Sequence, residues 1–242
     1  MFYKIPRLHN FSKGNRWHLY PFLLFLPSAF DKGIFFDYTQ NPNTTAMILP
    51  IIGYGDPVLR KMCEEIPKDH PELKTIIANM YDTMYNAYGV GLAAPQVGLA
   101  IRLFMVDTSP FGEDEDLAAE EQEQLKNFKR TFINAKMLKE EGEEWGFNEG
   151  CLSIPEVRED VYRNETITIE YDDEDFNRKT EVFDGLIARV IQHEYDHIEG
   201  ILFTDKISSL KKQLIKKKLQ NIMEGKTRPD YKMKFASPKK GR

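Results

Sequence analysis

Apolar residues fall into orderly periods only from Met47 onward. Ile48 to Ile52 is a short, mostly apolar run, and Gly53-Tyr54-Gly55-Asp56-Pro57 reads as a turn. Pro71 opens a helix in which Leu73, Ile76, Ile77, Met80 and Met84 follow a 3.6-residue period, and Gly89 ends it. Gly89 to Gly98 is a loop of mostly small residues. Ile101 to Asp107 then reads as a central strand, because apolar residues occupy successive positions. Further strands are expected at 131–134, at 166–171, where the pattern alternates, and at 178–183; the turn from Asp172 to Asn177 makes the last two a hairpin. Asp184 is placed to cap a helix, and Gly200 to follow its end. Leu186, Ile187, Val190, Ile191 and Ile198 leave that helix apolar on most sides, so it belongs inside the domain. Ser208 caps a last helix with Leu210, Leu214, Ile215, Leu219 and Ile222 on one stripe and lysines on the other. Beyond Gly225 the tail is expected to be disordered.

Two stretches break this pattern. Residues 1–46 have no sustained period and contain Pro6, Pro21, Pro27 and Pro42. Lys4, Arg7, Lys13 and Arg16 precede the apolar run Leu19 to Leu26, the outline of a weak signal peptide, but Pro21 interrupts the run and no clean cleavage site follows. The preferred explanation is that Met47 is the true start; the other is a targeting segment. Residues 109–130 hold seven acids between Glu113 and Glu123 and few apolar anchors, which describes a solvated, partly helical surface insertion.

Composition narrows the class. The 242 residues are 41% hydrophobic and 12% aromatic, enough for a sizeable core, and no apolar run approaches a membrane span. Two cysteines, Cys63 and Cys151, make no disulfide framework and point to a reducing compartment. The formal charge of −5 is polarised: +3 over residues 1–46, −19 over 47–205 and +11 over 206–242. The basic end suits either an anionic partner such as RNA or a solvated lysine-rich helix.

Candidate chemistry concentrates at Gln192-His193-Glu194-Tyr195-Asp196-His197 on the apolar helix. Two histidines four apart share one helical face and can reach one metal ion, with Glu194 alongside to handle protons. The motif alone leaves the reaction open. Cys151, in Glu149-Gly150-Cys151-Leu152-Ser153-Ile154-Pro155, is either a buried core cysteine or a third ligand. Three ligands would leave one position for water, the pattern of a catalytic site.

Three stretches resemble the signature motifs of the peptide deformylases: Gly89-Val90-Gly91-Leu92-Ala93-Ala94-Pro95-Gln96, Glu149 to Ser153, and Gln192 to His197, in the family's order. Gly55 to Arg60 looks like the family's opening. The resemblance covers about 47–205, and the insertion at 109–130 is longer than the family's minimal form. It implies a catalytic domain over 47–205, with 1–46 as an N-terminal extension and 206–242 as a basic helix and tail. With the elements above it implies an α+β fold, mostly antiparallel strands packed around a central metal-binding helix, with a C-terminal helix.

The same resemblance implies hydrolysis of the N-formyl group of formyl-methionyl nascent peptides. Cys151, His193 and His197 would hold the metal, which makes a water nucleophilic near neutral pH. Glu194 would move the proton, and the Gln96 amide with the Leu152 N–H would meet the charge growing on the formyl oxygen. Gly91 would bond the substrate main chain, in a loop kept small so that the substrate can approach. Arg158 would stand near the cleft. Asp196 would orient a ligand histidine or pair with a buried cation, and Cys63 would be structural. Ferrous iron is the implied ion, with Zn2+, Ni2+ or Co2+ also compatible with the ligand types. A monomer without membrane contact is expected, in the cytoplasm, or in an organelle if 1–46 is genuine, with the basic helix available to the ribosome.

Two other readings remain open at this stage. A zinc peptidase would take a third His or Glu downstream, where only Glu199 is offered. A non-enzymatic, ribosome-associated module would have no need to keep Cys151, Glu194 and Gln96.

Overall fold

The computed structural model describes residues 47–236, so the expectations for 1–46 and for the last six residues lie outside the described residues. Seven strands and four α-helices follow in order: β1 (Ile51–Ile52), α1 (Leu73–Asn86), β2 (Gly91–Ala93), β3 (Leu103–Asp107), α2 (Ala119–Lys126), β4 (Lys129–Cys151), β5 (Ile154–Asp172), β6 (Arg178–Asp184), α3 (Gly185–Ile198), α4 (Ser209–Met223) and β7 (Met233–Lys234). β2 to β6 form one antiparallel sheet in sequence order, and β1 pairs in parallel with β7. The fold is α+β, as the sequence implied. Among the described residues no helix is long and apolar enough to cross a membrane.

α3 is the centre of the molecule. Ala188, Val190, Ile191 and Ile198 pack with Phe104 and Val106 of β3, Phe132 and Ala135 of β4, and Ile167, Ile169 and Tyr171 of β5. β3 is buried along its whole length and paired on both sides, the central strand its continuous apolar run predicts. Gly200, at φ +74°, takes the left-handed position after α3, where a Cβ would meet the Arg60 backbone at 2.8 Å. Asp184 stands at the N-cap, but its side chain makes no capping bond.

Several boundaries differ from the sequence expectation. β4 and β5 extend far beyond 131–134 and 166–171 into one long hairpin. Its outer part carries glutamates, lysines and asparagines with little apolar alternation, and backbone pairing holds it as strand. The segment Gly91–Ala93, expected as loop, is a short strand on the edge of β3. The acidic insertion is partly helical, as expected, yet Phe111, Leu125 and Phe128 bury themselves in the α3 core and fasten it to the domain. The stripe on α4 splits: Ile215 and Ile222 are buried, whereas Leu210 and Leu214 are 68% and 72% exposed. The tail beyond Gly225 is not loose through residue 236. It returns to pair β7 with β1 and buries Tyr231 against Leu152 and Ile51.

Candidate metal centre

Two elements bring the three donors together. α3 presents His193 and His197 one turn apart, their ring centroids 5.2 Å apart at 78°. β4 ends at Cys151, where the hairpin closes with Cys151 opposite Ile154. The ligand atoms of Cys151, His193 and His197 all lie within 4.8 Å of one another, and all three residues are buried. Cys151 Sγ stands 3.2 Å from His197 Nε2. His193 Nδ1 donates to Glu149 Oε2 at 2.8 Å, which leaves Nε2 as the lone-pair nitrogen. That buried Nε2 has no hydrogen-bond partner among the described residues.

The two histidines differ in how readily they take a proton. Burial disfavours charge on His193, but Cys151 and Glu149 outweigh it and lift its pKa to about 9. Burial and the neighbouring His193 push His197 well below its ordinary value. The space does not hold two imidazolium rings. A divalent ion would displace the His193 proton and leave one thiolate and two neutral imidazoles as its donors.

A buried ionic cluster braces this arrangement. Arg163 on β5 forks onto Glu149, Nε to Oε1 at 2.7 Å and Nη2 to Oε2 at 3.0 Å, and reaches Asp196 Oδ2 at 2.6 Å. Arg189 on α3 adds a contact to Glu149 at 3.2 Å and donates to the Val161 and Trp145 carbonyls. Burial alone would raise the Glu149 pKa, but Arg163 and His193 prevail and hold it well below the usual carboxylate range. Asp196 pairs with this buried cation and with Lys206 at 3.5 Å, which answers the question left open by the sequence. Sequence reasoning gave no role to Glu149, Arg163 or Arg189. One signal was readable: Arg189 interrupts the apolar run Leu186 to Ile191, so a buried counter-charge was required.

The remaining candidates surround the donors. Glu194 is fully buried, and its carboxylate fills the space over Gly91, where a Cβ would come within 2.4 Å of Oε1. Gly91 is thus small because Glu194 packs on it, in addition to any substrate approach. Ala93 N–H donates to Gln96 Oε1 at 2.8 Å, which turns Nε2 toward Cys151 Sγ at 3.5 Å and Ser153 Oγ at 3.4 Å. Leu152 follows Cys151 and is buried; its carbonyl accepts from the Tyr231 hydroxyl at 2.8 Å. Burial holds that phenol above its ordinary range, so it stays a donor. Arg158 is opposite Gly150 in the hairpin, with Nε donating to Asn148 Oδ1 at 2.9 Å. Cys63 lies apart from this cluster, buried beneath α3.

The polypeptide deformylase family model matches residues 48–213. A peptide deformylase of Flavobacterium johnsoniae is 76% identical over 196 residues, which span 81% of this chain and all of that one. One from Christiangramia forsetii is 63% identical over the same shares of the two chains. The crystal structure of a Legionella pneumophila peptide deformylase superposes with a TM-score of 0.63 at 33% identity, covering 75% of this chain and 99% of that chain. A plant peptide deformylase gives 0.65 at 32%, covering 76% and 93%.

Proposed function

Because this chain belongs to the polypeptide deformylase family, metal-dependent hydrolases that remove N-formyl groups from nascent peptides, we propose a residue-level account of how it does so. Cys151, His193 and His197 hold the metal; the observation that carries this is the convergence of their three buried donor atoms. A divalent ion there supplies Lewis acidity and a water nucleophile near neutral pH. Glu194, buried beside His193, takes the proton of the attacking water and delivers it to the leaving amine. The Gln96 amide, turned by Ala93, and the Leu152 N–H receive the negative charge on the formyl oxygen. Gly91 on β2 offers its main chain to the peptide, and Arg158 on β5, braced by Asn148, meets it near the β4–β5 hairpin end.

The proposed ion is ferrous iron, which a thiolate and two imidazoles accommodate, as they do zinc, nickel and cobalt. The working unit is a cytoplasmic monomer with its catalytic domain over 47–205, onto which the chain returns to pair β7 with β1. The lysine-rich face of α4 is proposed to meet ribosomal RNA, where nascent chains emerge.

Anaerobic purification, metal analysis and formate release from formyl-Met-Ala test this account. Stoichiometric iron and formate release with the Met-Ala bond left intact are expected. Cleavage of unformylated peptides would instead make the centre a peptidase site.

A further inference from the structure

The turn between β4 and β5 carries Cys151, Leu152 and Ser153, and it is held from outside the hairpin. Tyr231 O–H donates to the Leu152 carbonyl at 2.8 Å, and Tyr54 N–H donates to the Ser153 carbonyl at 2.8 Å. Tyr54 closely follows β1 and Tyr231 closely precedes β7. Both contacts therefore issue from the small parallel sheet, in which Ile51 is opposite Met233 and Ile52 opposite Lys234. Two residues per strand are too few for that sheet to stand alone. It is set by bonds from Ile51 N–H to the Lys232 carbonyl and from Gly53 N–H to the Lys234 carbonyl, each 2.9 Å, and by the Tyr231 ring packed in the α1 core.

We propose that Tyr231 is a positioning residue for deformylation, its hydroxyl holding the Leu152 carbonyl so that the Leu152 N–H stays aimed at the formyl oxygen. This rests on the reading of that N–H as an oxyanion donor. Within one residue the N–H and C=O are separated only by φ and ψ, so fixing the carbonyl restricts the amide as well. A donor to a developing oxyanion contributes only if its direction is set before the reaction. The tail of the chain thus serves the reaction without touching substrate or metal.

Tyr231→Phe removes the hydroxyl and keeps the ring. Its kcat on formyl-Met-Ala should fall about tenfold, as a small misplacement at a reacting centre does, with KM and bound metal unchanged. Backbone hydrogen exchange across 150–154 should quicken. Tyr171→Phe deletes a comparable phenol bond, to Glu181 at the other end of β5, and should keep wild-type kcat. Wild-type kcat in Tyr231→Phe, or an equal loss in Tyr171→Phe, would overturn the proposal. Gln96→Ala separates the two readings. If it collapses turnover while Tyr231→Phe does not, only the role of Tyr231 fails. If neither Gln96→Ala nor Tyr231→Phe loses turnover, the oxyanion reading fails and the role of Tyr231 with it.

Discussion

Glu149 joins the metal ligands to the rest of the protein: one carboxylate serves His193, Arg163 and Arg189. Glu149→Gln keeps the shape and removes the charge, leaving buried guanidinium groups undercompensated. The expected cost is about 3–5 kcal/mol in unfolding free energy, read by denaturant titration. Metal affinity should drop by roughly 10–100-fold, read by competition with a chelator, because the brace on His193 is lost. Cys63 gives a pH-dependent outcome. Burial is the largest influence on its thiol and lifts the pKa from 9.0 to about 11. The folded state thus favours the neutral thiol. Its contribution to stability is complete below pH 9 and lost as pH rises toward 11. Alkylation at pH 8 should leave Cys63 unmodified in the native protein and label it on unfolding. His193, His197 and Glu194 were legible because spacing along one helix suffices to place them, whereas Cys151, on β4, joined them only through the family resemblance. The partners of Glu149 were not, because they depend on the register of β4 against β5 and on how α3 lies across both.

At the scale of elements, periodicity gave the faces of helices but not what covers them. The five-residue stripe on α4 is continuous in sequence, yet Ile215 and Ile222 are buried in the core around Val157, Val161 and Leu202, Leu219 packs against it, and Leu210 and Leu214 stay exposed. Ile222→Ala should cost about 2–5 kcal/mol in urea unfolding. Leu214→Ala, on the exposed side, should stay within about 0.5 kcal/mol of wild type. The long hairpin was under-read for a related reason. Its outer residues face solvent, so the ladder between the strands, rather than alternation of side chains, defines them. β7 was invisible because two residues carry no period, and its place follows from where β1 happens to lie.

Across the whole molecule the charge separates into an acidic body and a basic end, and α4 carries five of the thirteen Lys/Arg of 206–242, with Lys212, Lys216, Lys217 and Lys218 exposed. Lys216→Glu with Lys217→Glu should weaken co-sedimentation with ribosomes at low salt and leave turnover of short formyl peptides unchanged. Charge reversal is the cleaner test, since deleting the end would also remove Tyr231. The most direct test of the central claim is the Glu194→Ala variant, prepared anaerobically and measured for metal content and formate release together. The account predicts wild-type metal content with kcat reduced by about 10²–10⁴-fold, since the ligands remain and the proton carrier is gone. Near-normal formate release, or a protein that no longer holds metal, would contradict it.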